Sequence, residues 1–391
     1  THGRSAVYTT RSRPRTGPRP TRATVSADRG QGDHHQNPSM AQQSRRVLRV
    51  APPGSAPGGD GETFPTVQAA VDAVPLGNRA RTVIRLAPGV YREPVYVAKT
   101  KNFVTLAGAS AEATVISWDN TATRIKHDQT SRVIGTGTFG CGTVIVEGED
   151  FIAENITFEN SAPQGSGQAV AVRVTADRCA FYSCHFLGWQ DTLYLHYGKQ
   201  YLRDCYIEGS CDFIFGNSIA LLERCHIHCK SAGFITAHSR KSSSESTGYV
   251  FLRCIITGNG EAGYIFLGRP WGPFGRVVFA HTFMDRCIKP TGWHNWDKSE
   301  NERTACFYEY RYWLHQNLKL YVANSHGRML QWNFYIVFSL SSVLFKKITY
   351  ASGVIPSQHS SGTETYQHYM ILHDICCYEP SILSRAVHID T

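Results

Sequence analysis

The chain has 391 residues, 42% hydrophobic and 18% charged, a composition that excludes a wholly disordered polymer. No apolar run reaches the ~18 residues of a membrane-spanning helix. The net charge of +9 does not mark a nucleic-acid surface, because residues 1–39 alone hold seven arginines against two aspartates.

Along the chain, residues 1–39 are rich in Arg, Thr, Pro and Gly and nearly free of apolar residues ahead of Met40. They read as a disordered tail in preference to an organelle transit peptide, and no apolar core of a secretory signal is visible. APPGSAPGGDG (51–61) reads as a flexible linker. Residues 1–60 are therefore expected to be a disordered leader and linker. Val67, Ala70, Val71 and Val74 then recur at i, i+3, i+4 and i+7, the signature of a short amphipathic helix. After Gly77-Asn78 the texture becomes short β-branched runs separated by turn residues, beginning with Val83–Leu86, Val95–Val97 and Val104–Leu106, and it continues to about residue 310.

Within that stretch one phrase recurs: IAENITF, FYSCHFL, YLRDCYI, LLERCHI, FLRCII and MDRCI. Taking Asn155, Cys184, Cys205, Cys225, Cys254 and Cys287 as equivalent gives intervals of 29, 21, 20, 29 and 33 residues. A repeat of short strands at ~20–30 residues implies an all-β solenoid in which each coil covers the next. The cysteines are then a buried stack of small side chains, not disulfides. The formal glycosylation acceptor at Asn155 is expected to be buried within a strand. His226 and His228, beside Cys225 and Cys229, come nearest to a metal pattern but fall short of a zinc set, so no metal is expected.

The period has a chemical consequence. Asp191 and Asp212 are 21 residues apart, the same interval as Cys184 to Cys205, so they should stack on neighbouring strands roughly 5 Å apart. Gln168 and Gln190 fall on the same column within one residue. Two carboxylates so close cannot both ionise easily, which suits one acid beside one nucleophile. The glutamine amides can donate to a developing oxyanion, and Arg269 can pair with one aspartate. The same pattern would also serve as a polar ladder on the solenoid surface. Trp189, Tyr194, Phe213, Phe215 and Trp271 flank the patch and suit sugar stacking, though such rings equally fill β cores.

GVYRE (89–93), GSGQAVAVRV (165–174), GWQDTLY (188–194), DFIFG (212–216) and LGRPWG (267–272) together resemble the signature blocks of plant pectinesterases, in order and spacing, from about Val47 to Arg311. The resemblance is to the subgroup without an inhibitor-like pro-region. It implies a right-handed parallel β-helix at residues 61–311 with the short N-terminal helix. It further implies Asp212 as nucleophile on a galacturonate methyl ester, Asp191 as acid and then base, Gln168 and Gln190 as the oxyanion hole, and Arg269 as the partner of Asp212. Trp271, Tyr194 and Phe215 would line the substrate cleft. The implied enzyme is a monomer acting on methyl-esterified pectin and releasing methanol. It uses no metal or organic cofactor, no nucleic acid and no membrane span. The family works in the cell wall, although no secretory signal is visible.

Two positions depart from the resemblance. Cys211 replaces an aliphatic residue and is expected to affect packing behind Asp212; His238 replaces a glutamine and is expected to touch substrate affinity. Two other functions share the pattern: a glycan-cleaving β-helix enzyme, since carboxylates roughly 5 Å apart also suit a retaining glycosidase, and a non-catalytic pectin-binding or misfolded product. A calcium-dependent lyase would need several clustered carboxylates, and none are found in this column. From residue 312 no family block is recognisable, and residues 312–391 are expected to be an aberrant segment outside the native fold.

Overall fold

The computed structural model describes residues 46–55, 59 and 61–310, and the backbone of Trp313–Leu314. Its strands pair in parallel and wind as a right-handed parallel β-helix, as the repeat implied. One wall steps in chain order through Arg46–Val50, Thr82–Leu86, Val104–Ala107, Ile152–Glu154, Cys179–Tyr182, Lys199–Arg203, Ile219–Glu223, Gly248–Leu252, Arg276–Ala280 and Cys306–Tyr310. The other sheet has two ranks. The first runs through Thr157–Asn160 and His185–Leu187 into the long strands Tyr206–Gly216 and His226–His238. The second runs through Val144–Val146, Val172–Thr175 and Leu193–Tyr197, meets the later halves of those long strands, and ends on Ile265–Pro270.

The corner that closes each coil explains the repeated phrase. Asn155, Ser183, Asp204, Arg224, Arg253 and His281 each follow a strand of the first wall and each take φ between 50° and 57°. A single left-handed residue turns the chain from one wall to the next. The next residue points into the core: Ile156, Cys184, Cys205, Cys225 and Cys254 are 0–2% exposed, and Thr282 is fully buried. Cys205, Cys225 and Cys254 donate S–H to main-chain carbonyls one coil back, at Phe181, Leu202 and Leu222. Thr282 donates to Phe251 in the same way. These cysteines are free.

Three readings of the repeat are corrected. The register pairs Tyr182 with Glu154, so Asn155 lies opposite Ser183, not Cys184. It sits at a half-buried corner rather than inside a strand. Leu252 pairs with Ala280, so the counterpart of Cys254 is Thr282, and Cys287 belongs to a different column. Counting between cysteines missed this because loops of unequal length separate otherwise equivalent strands.

The first strand also falls inside the stretch expected to be leader. Arg46–Val50 pairs with Thr82–Leu86 and buries Leu48 and Val50. Alternating apolar residues outweigh the linker composition that follows them. The predicted helix is present at Val67–Asp72, with Val67, Ala70 and Val71 fully buried against the first coils. Its first N–H groups donate to the Glu93 carboxylate at 2.8 and 3.0 Å, and Lys101 Nζ donates to the carbonyls of Asp72 and Val74. Opposite charges thus meet opposite ends of the helix dipole. At the far end, Trp313–Leu314 still pairs with Phe283–Met284; the rest of the segment expected to be aberrant lies outside the described residues, as do residues 1–45 of the leader.

Candidate active site

The rank ending at Ile265–Pro270 stacks Arg173, Tyr194, Phe215, Ala237 and Arg269 in one column. Tyr194 and Phe215 are offset-stacked with centroids 4.2 Å apart. Gly268 permits this arrangement, because any Cβ there would run into the Thr236 hydroxyl across the pairing.

Just before this column lie the two aspartates. Leu193 pairs with Ile214, and Gln190 bridges Cys211, so Asp191 and Asp212 are opposite each other on adjacent rungs. Each is 7% exposed, and each sits in the left-handed region, Asp191 at φ 64° and Asp212 at φ 49°. A non-glycine residue held there costs roughly 1 kcal/mol or more. The coil compensates through pairing: the Asp191 N–H donates to the Cys211 carbonyl at 3.0 Å, and that of Ser210 to Trp189 at 2.7 Å.

Arg269 grips only one of the pair. Its Nε and Nη2 donate to Oδ1 and Oδ2 of Asp212 at 2.9 and 2.6 Å. The guanidinium is also sandwiched, 3.9 Å from the ring centroids of both Phe234 and Trp296. Stacking fixes its plane while the fork fixes its rotation. Asp191 is treated differently. Burial, and then the neighbouring charge of Asp212, push its carboxyl well above the usual carboxylate range, with Arg269 offsetting part of the rise. The two aspartates thus differ in surroundings: burial and its neighbour favour the protonated form of Asp191, while Asp212 lies in the fork of a guanidinium.

Of the remaining expected residues, Gln190 is half-buried and Gln168 exposed. Ala169, next to Gln168, donates its N–H to the Gln190 carbonyl at 3.1 Å, so the glutamines stand on adjacent rungs. Trp271 is 48% exposed and approaches Phe215 with centroids 6.1 Å apart. Tyr194 and Phe215 are 7% and 3% exposed, so they form the floor under Trp271 more than an open stacking surface.

Both departures are located differently from expectation. The Cys211 thiol is not behind Asp212 but beside it, 3.7 Å from Oδ2 and 3.8 Å from Arg269 Nη2. Burial pushes that thiol up to about 12. His238 is fully buried, accepting from the Arg276 N–H and donating to the Ser218 carbonyl, with its ring edge-on to Tyr249. Its neighbour Ala237 carries the cleft column, so strand alternation turns His238 inward and away from substrate.

Sequence reasoning missed Phe139, Phe234 and Trp296. Phe139 extends the aromatic row beyond Tyr194, at 6.3 Å, and covers the buried Arg173 guanidinium at 3.7 Å. Phe234 pairs with Cys211 on the next rung, but register shifts on either side of that pair put it beyond a plain coil count. Trp296 lies in a loop outside the repeat, and only three-dimensional closure brings it to Arg269. Among the described residues, no group of three His, Cys, Asp or Glu could hold a metal, and no helix is long and apolar enough to cross a membrane.

Comparison with known proteins gives a consistent result. Residues 55–318 match the family model for pectinesterase. The chain is 75% identical over 266 residues to Pectinesterase 31 of Arabidopsis thaliana, covering 68% of this chain and 82% of that one. Among solved structures it is similar to pectin methylesterase from carrot, with 32% identity, a TM-score of 0.62, and coverage of 70% of this chain and 84% of that one. It is also similar to the pectin methylesterase of Aspergillus niger, with 31% identity, a TM-score of 0.58, and coverage of 70% and 88%.

Proposed function

The chain belongs to the pectinesterase family, and on that premise we propose how its two aspartates divide the removal of methyl esters from pectin. The reaction itself is pectin demethylesterification, a hydrolysis of a carboxylic ester to a free galacturonate and methanol. The division of labour rests on one observation: Arg269 grips Asp212 and leaves Asp191 to burial.

Asp212, its carboxylate plane fixed by the fork, attacks the ester carbonyl. The oxyanion that forms is met by the amides of Gln168 and Gln190, which stand on adjacent rungs beside the pair. Asp191 arrives protonated and gives its proton to the departing methoxide, releasing methanol. An anhydride between galacturonate and Asp212 remains. Asp191, now a carboxylate, takes a proton from water, whose hydroxide attacks that anhydride; the acid is released and both aspartates return to their starting states. Trp271 supplies the exposed ring on which a sugar face can rest. No cofactor, metal or nucleic acid enters this scheme. The chain acts as a monomer, and its substrate sets its place of work at the cell wall.

The test is methanol release from methylated pectin, measured with the appearance of new reducing ends. Methanol without new reducing ends is expected, and new ends would mean glycan cleavage instead. Asp212→Asn keeps the shape and removes the nucleophile, so turnover should fall by at least ~10³-fold. Retention of a tenth of the activity would overturn the role given to Asp212.

A further inference from the structure

The sandwich around Arg269 is assembled from two separate parts of the chain. Phe234 is held by the sheet, where it pairs with Phe266 and stacks on it with centroids 5.3 Å apart. Trp296 stands in a loop, at φ 61°, a conformation that bulky residues avoid. The His294 N–H still donates to the Gly268 carbonyl on the last rung, at 3.1 Å, and Trp296 comes two residues further on.

One side chain bridges the two parts. His294 Nδ1 accepts from the Trp296 N–H at 3.0 Å, closing a short turn that keeps Trp296 in its left-handed conformation. The same ring meets Phe234 and Phe266 edge-to-face, with centroids at 5.4 and 5.1 Å and interplanar angles of 66° and 68°. An imidazole supplies both an in-plane acceptor and a flat aromatic body, which an aliphatic side chain does not. To accept that bond Nδ1 must be bare, so the neutral ring carries its proton on Nε2. Nε2 lies 3.7 Å from the Asp297 carboxylate, whose side chain is 94% exposed, and that partner adds little hold.

We infer that His294 is a positioning residue for the nucleophile: it sets Trp296 against Phe234 at the spacing that clamps the Arg269 guanidinium, and so fixes the plane of the Asp212 carboxylate. The inference rests on Asp212 being the attacking group. His294 acts through Trp296 and Arg269 and not on the ester, so its loss should fall on kcat and spare KM.

The experiment compares the full chain with His294→Phe, which keeps an aromatic body and removes the acceptor, and with His294→Asn, whose side-chain oxygen can accept the Trp296 N–H. Asn301 Nδ2 ties the loop independently at the Asn295 carbonyl, at 2.9 Å, so both variants should fold, with melting temperature as the check. His294→Phe should lower kcat for methanol release by about 3- to 10-fold, the effect of one hydrogen bond, with KM unchanged within about twofold. His294→Asn should keep at least about half of the wild-type kcat if the bond is what matters. In a Trp296→Ala background His294→Phe should cost less than about twofold, because the residue through which it acts is gone. Fully additive losses, a change in KM alone, or no rescue by asparagine would each overturn the inference. A second readout does not depend on the reaction. By nitrogen-edited NMR, the Trp296 backbone N–H and the Arg269 Nε–H should exchange with solvent at least about threefold faster in His294→Phe than in wild type and His294→Asn. Unchanged exchange at Arg269 would refute the role of His294 even in an active enzyme, whereas a wild-type chain that releases no methanol would refute the reaction instead.

Discussion

Replacing Arg269 by lysine keeps the positive charge and removes both devices that orient it. The ammonium can hold one of the two bonds to Asp212, now 2.9 and 2.6 Å, but not the planar fork. It also loses the flat stacking between Phe234 and Trp296. A charged hydrogen bond contributes about 1.5–3 kcal/mol, and a partly desolvated cation–π contact about 0.5–2 kcal/mol. Solvent screening reduces these little, because the side chains are only 21% and 11% exposed. Losing one bond and one stacking face should therefore remove roughly 2–5 kcal/mol of positioning. At 1.36 kcal/mol per decade this is about a 30- to 5000-fold fall in kcat. The assay is steady-state methanol release, with melting temperature and circular dichroism as controls. A kcat loss under about fivefold, or an effect confined to KM, would refute the claim that the fork and sandwich aim the nucleophile.

Asp191→Asn should be inactive yet more stable at neutral pH. The folded state holds the Asp191 proton more tightly than the unfolded chain, so stability falls as pH rises above the unfolded value of about 3.9 toward the raised folded one. Asparagine removes that loss, and calorimetry should give a higher Tm than wild type at pH 7 with the difference vanishing near pH 3; a lower Tm at pH 7 would contradict the sign. His238→Gln should flatten the acid side of the stability curve. Burial depresses His238 to about 3 from 6.5, so the wild type loses stability as pH drops from 6.5 toward 3, by roughly 3 kcal/mol at pH 4. Glutamine can keep both bonds to the Arg276 N–H and the Ser218 carbonyl without this penalty. Equal slopes of Tm between pH 7 and 4 in the two proteins would rule it out.

Much of this arrangement was legible in the sequence because a solenoid converts intervals into neighbours. The 21 residues between Asp191 and Asp212 gave their pairing, and the apolar period of Val67 to Val74 gave the capping helix. What failed did so where interval and register part company. Asn155 and Cys287 were misaligned by counting to the nearest similar phrase, while the structural constant is the left-handed corner one residue before each core position. His238 was legible in principle, since alternation from Arg269 and Ala237 sends the next residue inward, but comparison by residue type hid it. Trp296 was not legible at all: its place over Arg269 depends on a loop with no periodic signal, turned by left-handed φ at Trp296 and Asp297.

The sequence distance spanned by the Asp212–Arg269 clasp has a consequence during synthesis. The two aspartates become neighbours once 21 further residues are laid down, but the cation that matches Asp212 comes 57 residues after it. At about 5–20 residues per second, the nascent chain carries its acidic rungs for about 3–11 s before Arg269 exists to pair with them. Docking those rungs early would bury the Asp212 side chain beside Asp191 in left-handed backbone with no guanidinium to offset either cost, so coil-by-coil winding should pause there. Ribosome-held chains ending before Arg269 should accordingly be cut by protease near residues 189–212, and chains extending beyond Trp296 should be protected.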